Sequence, residues 1–167
     1  MARYKMRQHL ISLGEDYTIE DERGDAVYKV DGKLLRIRET FVIEDMQGNE
    51  VATVREKKIA LRDSMKILRG GDTIATIRKA WISPFRDKFA IDVDGGPDLV
   101  AQGNILDHDY EIRRDGETVA RISKRWFSIR DTYGIDVSPG EDDGLILALA
   151  VAIDEMAHDP DEGHGEG

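Results

Sequence analysis

The chain has no cysteine in its 167 residues, which removes disulfides, thiolate nucleophiles and sulfur-ligated metals from consideration. Histidine is scarce as well. His9, His108, His158 and His164 are scattered and never four apart on one helical face, so no zinc site is expected. No apolar run reaches the roughly 20 residues a membrane-spanning helix needs. Positive charge is in deficit: 24 Lys and Arg stand against 34 Asp and Glu, a formal net charge of -10. A chain this acidic is not expected to track nucleic-acid phosphates, which requires a basic face. The serine-nucleophile elbow, the phosphate loop and the dinucleotide fingerprint are all missing. No catalytic residue, metal or cofactor is therefore assigned.

What is there begins with Leu145–Ile153, nine residues without a polar side chain. A helix apolar all round must be enclosed. Asp142 and Asp143 precede the run and suit a helix start; Pro160 follows and stops it. A helix over 142–158 would run about 25 Å, enough to cross a small domain. Aspartate outnumbers glutamate and arginine outnumbers lysine. That balance is common in proteins of a high-salt cytoplasm, and it also fits a plain acidic protein kept apart by its charge. The opening Met1–Lys5 leads into alternation rather than an apolar signal segment, so a cytoplasmic location is expected.

From Tyr17 a unit recurs. Phe41, Met65, Phe89 and Tyr110 open its later copies, at spacings of 24, 24, 24 and 21 residues. Each copy alternates apolar and polar residues, passes through a glycine-containing turn (Gly24, Gly48, Gly70–Gly71, Gly95–Gly96, Gly116) and alternates again. That is the pattern of a β-hairpin. In the fourth unit Pro97 and Gln102 interrupt the second strand, so an edge, bulge or wider loop is expected there. A longer block, Ile77–Val93, recurs as Ile122–Val137 and carries both tryptophans, Trp81 and Trp126, at equivalent places. The pairs Ala52 and Val54, Ala75 and Ile77, and Ala120 and Ile122 each share a strand face. Alanines facing inward would leave room for a bulky central element.

A barrel of about twelve strands is too wide for its own side chains to fill. The expected fold is mainly β: a closed antiparallel barrel of about twelve strands wrapped around the buried C-terminal apolar helix. Residues 1–158 form this domain, and 159–167, acidic and glycine-rich, form a disordered tail.

A hairpin barrel closed on a C-terminal apolar helix resembles the Tubby C-terminal fold, and within it the LURP-one-related family, related to the phospholipid scramblases. The resemblance rests on Tyr4–Gln8, the Val30–Lys33 link, the Phe41, Asp45 and Gly48 unit, the Arg125–Ser128 block with Asp131 and Tyr133, and the final helix. It spans about Tyr4 to Asp159. It implies a fold with no settled activity, and relatives that bind phosphoinositide headgroups through basic residues.

Basic residues gather on the hairpin links: Lys57, Lys58, Arg78, Lys79, Lys124 and Arg125. Converging at one barrel end, they would hold an anionic lipid headgroup or small phosphate ligand by charge-assisted hydrogen bonds. Solvated cations paired with neighbouring carboxylates are the plainer reading. The loops Asp92–Gly96 and Asp107–Asp109 bring carboxylates close, yet Asp and Gly are also what hairpin turns demand. Three classes of function stay open: a non-enzymatic binding module, and as alternatives an enzyme with a carboxylate site in the barrel mouth or a scaffold for protein partners.

Overall fold

The computed structural model describes residues 2–7, 17–35, 38–57, 64–80, 87–104, 109–123 and 132–157. In chain order the elements are β1 (Ala2–Arg7), β2 (Tyr17–Glu20), β3 (Ala26–Leu35), β4 (Arg38–Asp45), β5 (Glu50–Lys57), β6 (Ser64–Arg69), β7 (Asp72–Lys79), β8 (Asp87–Val93), β9 (Leu99–Asn104), β10 (Asp109–Arg114), β11 (Glu117–Ser123), β12 (Thr132–Val137) and α1 (Asp143–Ala157). The strands form a closed antiparallel barrel in sequence order, and β1 pairs with β12 to complete it. The β1–β2 seam holds by one register pair, Lys5 opposite Glu20, whereas β1 and β12 share six.

The alternation in sequence becomes two faces. Ile19, Phe41, Ile43, Ile67, Ile91 and Ile112 point into the lumen and are almost wholly buried. The predicted alanines do as well: Ala52, Ala75 and Ala120 are 0–2% exposed. Their missing side-chain volume is taken up by α1, which packs against β5, β6, β7 and β12. Leu147, Ala148, Leu149 and Ala152 are each 0% exposed. A helix this uniformly apolar would expose a greasy face anywhere but inside the barrel.

The hairpin turns explain the regularity of the repeat. Asp45 Oδ1 accepts hydrogen bonds from the N–H groups of Gln47 and Asn49, at 3.0 and 2.9 Å. Gly48 takes the left-handed φ of 88° that closes the turn. Asp21 and Gly24 repeat the arrangement in the preceding hairpin. A register shift precedes each of these turns, between Ile19 and Glu20 and between Ile43 and Glu44, and recurs between Ile67 and Leu68 and between Ile112 and Arg113. Each shift adds local twist, which helps the sheet to curl shut.

The fourth unit differs from expectation in one respect. Pro97 falls in the loop 94–98, which at five residues is no wider than the loop 21–25, and β9 pairs with both β8 and β10. Gln102 does not interrupt it. It is an outward-facing position of an intact strand, where a polar residue is expected. The two tryptophan-bearing corners and residues 159–167 lie outside the described residues.

Candidate functional site

Each even-numbered strand from β2 to β10 hands over to the next odd one through a turn of two to five residues, and α1 starts at the same barrel end after β12. This end is closed by charge. Asp142 caps the helix, its carboxylate accepting the Leu145 N–H at 3.1 Å. The Arg69 guanidinium grips the same carboxylate in a fork, at 2.8 and 2.9 Å. That hydrogen bonding holds the Asp142 carboxyl below the usual aspartate range, against the opposing effect of burial. Arg114 forks Glu141 in the same way, at 2.8 and 2.9 Å. The Tyr4 hydroxyl donates to Asp143; burial first, and then that bond, keep the phenol protonated well beyond its ordinary range.

The opposite end receives the links that leave the odd strands, and α1 ends there. Its last turn carries no basic residue, and it contains Asp154, 5% exposed, and Glu155. The negative end of the helix dipole lies on this side. Of the sequence-derived candidates, Lys57 and Lys79 stand at strand ends on this side, and Lys58, Lys124 and Arg125 lie outside the described residues. Arg78 and Lys79 are not brought together. Consecutive in β7, they belong to opposite faces: Arg78 is exposed on the outside, whereas Lys79 follows the inward register of Ala75 and Ile77. Arg78 is engaged by Asp92, at 3.1 Å. Lys57, in contrast, shares a cross-strand row with Arg78, each opposite Ser64.

The outside of the barrel is charged in two different ways. On the β1 side, one row runs Arg3, Asp136, Arg121, Glu111, Gln102, Lys88, each opposite the next. Signs alternate along its first four positions, and the groups pair. Arg3 forks Asp136 at 2.7 and 3.0 Å, and Glu111 accepts from Thr118 and from Arg113. The Thr118 hydrogen bond, more than the arginines, holds the Glu111 carboxyl low. A cleft of about 220 Å³ lies over this row, lined by Gln102, Asp109, Tyr110, Glu111 and Arg121; its Glu111 and Arg121 already face each other at 3.7 Å.

On the far side, the row Lys33, Thr40, Arg55, Lys66, Thr76, Asp92 runs from β3 to β8. Here the signs do not alternate. Arg55 and Lys66 stand directly opposite each other, and neither makes an ion pair or hydrogen bond with another described residue. The Thr40 hydroxyl beside Arg55 is buried without a partner among the described residues. The neighbouring row adds Arg38, Lys57 and Arg78 at register positions of the same face. Sequence reading missed Arg55 and Lys66 because a cross-strand pair is invisible until the register is known.

The carboxylate loops do not form a site among the described residues. Asp92 is occupied by Arg78, and Asp98 accepts the Val93 N–H at 3.1 Å to close the loop. No group of three metal-ligating side chains occurs among the described residues. No helix there is long and apolar enough to cross a membrane.

No curated protein matches this sequence. Among solved structures, a protein of Arabidopsis thaliana has a similar fold, with a TM-score of 0.66 at 17% identity, over 92% of this chain and 91% of that one. At that identity the likeness concerns the fold. The family model described as LURP-one-related matches residues 2–154, nearly the whole barrel and most of the helix, so the chain belongs to the LURP-one-related family.

Proposed function

We propose that this protein is a non-enzymatic binding module for a phosphate-bearing anionic ligand, held on the outside of the barrel near the link end. The observation that carries the reading is the filled lumen. Lumen-facing positions of the strands and nearly all of α1 are buried apolar residues, so the space where barrels usually hold ligands is taken by the protein's own helix. Binding then falls to the outer surface, where a net-acidic protein keeps a cationic wall. Lys57 and Arg78 belong to that wall by register. Lys58, next after Lys57 in the chain, would extend contact to a ligand larger than one phosphate; Lys79 has the inward register of β7, and Lys124 and Arg125 follow β11, four strands from β7, so this wall is built without them. A lipid headgroup and a small phosphate compound share the required chemistry.

The test is thermal unfolding in inorganic phosphate, pyrophosphate and chloride at matched ionic strength. A ligand of the folded state adds about 2.7 kcal/mol at a hundredfold excess over its Kd. The melting temperature should rise in the phosphates beyond the chloride reference, and the rise should shrink as salt screens an open site. Equal melting temperatures in all three would overturn the proposal.

A further inference from the structure

We infer that Arg55 and Lys66, on the outer faces of β5 and β6, form the primary binding subsite for a single phosphomonoester group, with the Thr40 and Thr76 hydroxyls completing its donor set. This rests on the proposed binding function and assigns it to residues outside the hairpin links.

Like charges directly opposite on neighbouring strands are destabilising, with Cβ atoms about 5 Å apart. Most other charged cross-strand pairs are of opposite sign: Arg3 meets Asp136, Asp136 meets Arg121, Arg121 meets Glu111, and Lys5 meets Glu20; Glu44 opposite Glu50, beside the exposed turn at Gly48, is a like-charge pair of the other sign. The chain has an excess of carboxylates to place, yet none stands beside Arg55 or Lys66 in their row. On one side is Thr40, on the other Thr76. The nearest acid of the row, Asp92, is turned to Arg78. Two cations without an ion-pair partner among the described residues, flanked by two hydroxyls, are a donor set awaiting an acceptor.

The buried hydroxyl is a second, independent sign. Thr40 lies on the outward register of β4, alternating with the lumen residues Phe41 and Ile43, yet it is only 5% exposed. A buried hydroxyl with no acceptor or donor costs about 1–3 kcal/mol. An oxyanion beside Arg55 would supply its acceptor.

The chemistry favours phosphate over a carboxylate. A guanidinium fork can take two phosphate oxygens and an ammonium group a third. Adjacent strands are about 4.8 Å apart, so an anion seated between Arg55 and Lys66 lies within one strand spacing of both. Neither the lumen nor the paired row on the β1 side offers an equivalent place.

The experiment compares wild type with Arg55→Gln, Lys66→Gln and Arg23→Gln, the last removing the same charge from an exposed turn. Binding of inorganic phosphate is measured by calorimetry. Binding to phosphatidylcholine vesicles with and without phosphatidic acid, a lipid phosphomonoester, is measured by sedimentation. Losing one charge-assisted contact should weaken binding about tenfold or more for Arg55→Gln and Lys66→Gln, with Arg23→Gln close to wild type. Both substitutions relieve a like-charge contact on the surface, so melting temperatures should not fall. Retained affinity for phosphate alone would assign a small phosphate compound; gain only on phosphatidic acid vesicles would assign a lipid headgroup. If wild type binds and both Gln variants bind equally well, the subsite is wrong while the binding function stands. If wild type binds neither probe, both are overturned.

Discussion

Replacing Leu147 by alanine probes the enclosure of the helix more sharply than any surface change. The side chain is 0% exposed, in the first turn of a run in which no position from Ile146 to Ile153 exceeds 2%. Leu→Ala in a core costs about 2–5 kcal/mol, and the larger values belong to sites that cannot collapse around the vacancy. A closed barrel is such a site. Its wall is a hydrogen-bonded ring, so neighbouring strands cannot move inward without breaking register. The expected loss is about 4 kcal/mol, a large part of the 5–15 kcal/mol a domain of this kind has. The melting temperature should fall by about 10 °C. Urea unfolding followed by far-ultraviolet circular dichroism reads this directly, with an unchanged denaturant slope showing that the folded state stays compact. A loss below about 1 kcal/mol, the value for a partly exposed leucine, would refute the enclosed helix.

Three further outcomes follow from the same geometry. Thr40→Val removes a buried hydroxyl without a partner among the described residues at nearly constant shape, so the variant should be as stable as wild type or more so by about 1 kcal/mol; a clear loss in urea unfolding would mean that the hydroxyl is satisfied. Gly103→Ala should destabilise, because a Cβ there would overlap the Asp109 carbonyl and the Tyr110 ring, and hydrogen exchange should show β9 and β10 loosened; protection equal to wild type would contradict the close approach. The Asp142 carboxyl is held low chiefly by Arg69, so its contribution is present above the ordinary aspartate value of about 3.9 and is lost as pH falls through the lower folded value. Arg69→Gln should therefore cost up to about 1 kcal/mol at neutral pH, a small figure because both partners are part-exposed, and the gap from wild type should close in acid; a gap independent of pH would assign it to packing.

Much of the fold is legible in the sequence because its signals are local. Alternation, a glycine in each turn and the Asp-to-Gly spacing of the turns lie within a few residues, and they repeat. The central helix is legible from composition alone, since Leu145–Ile153 has no polar face to give to water. Alanines at matched strand positions add where the helix lies. Partners are another matter. Arg3 and Asp136 are 133 residues apart, and Tyr4 reaches Asp143 only because β1 closes the barrel beside β12. Gln102 reads as an interruption in sequence and is an ordinary outward position once its two neighbours are known.

The candidate site shows the same boundary more plainly. Lys57 and Arg78 were conspicuous as charges near hairpin links, and the register places them in one row. Lys79, next in sequence to Arg78, belongs to the other face, because a strand alternates with every residue. Arg55 and Lys66 are inconspicuous in sequence, each amid alternating polar positions. They become a pair only when β5 and β6 are aligned, and nothing local to either strand reveals that alignment. A one-residue error would exchange outside for inside.

The central claim is that an anion binds the outer wall of β4–β7, and its most direct measurement is a phosphate titration followed by backbone amide chemical shifts. The account predicts saturable shifts centred on Thr40, Arg55, Lys66 and Thr76, with α1 and the Arg3–Asp136 row unmoved. Shifts that cluster elsewhere, or none up to concentrations that screen the protein's charge, would contradict it.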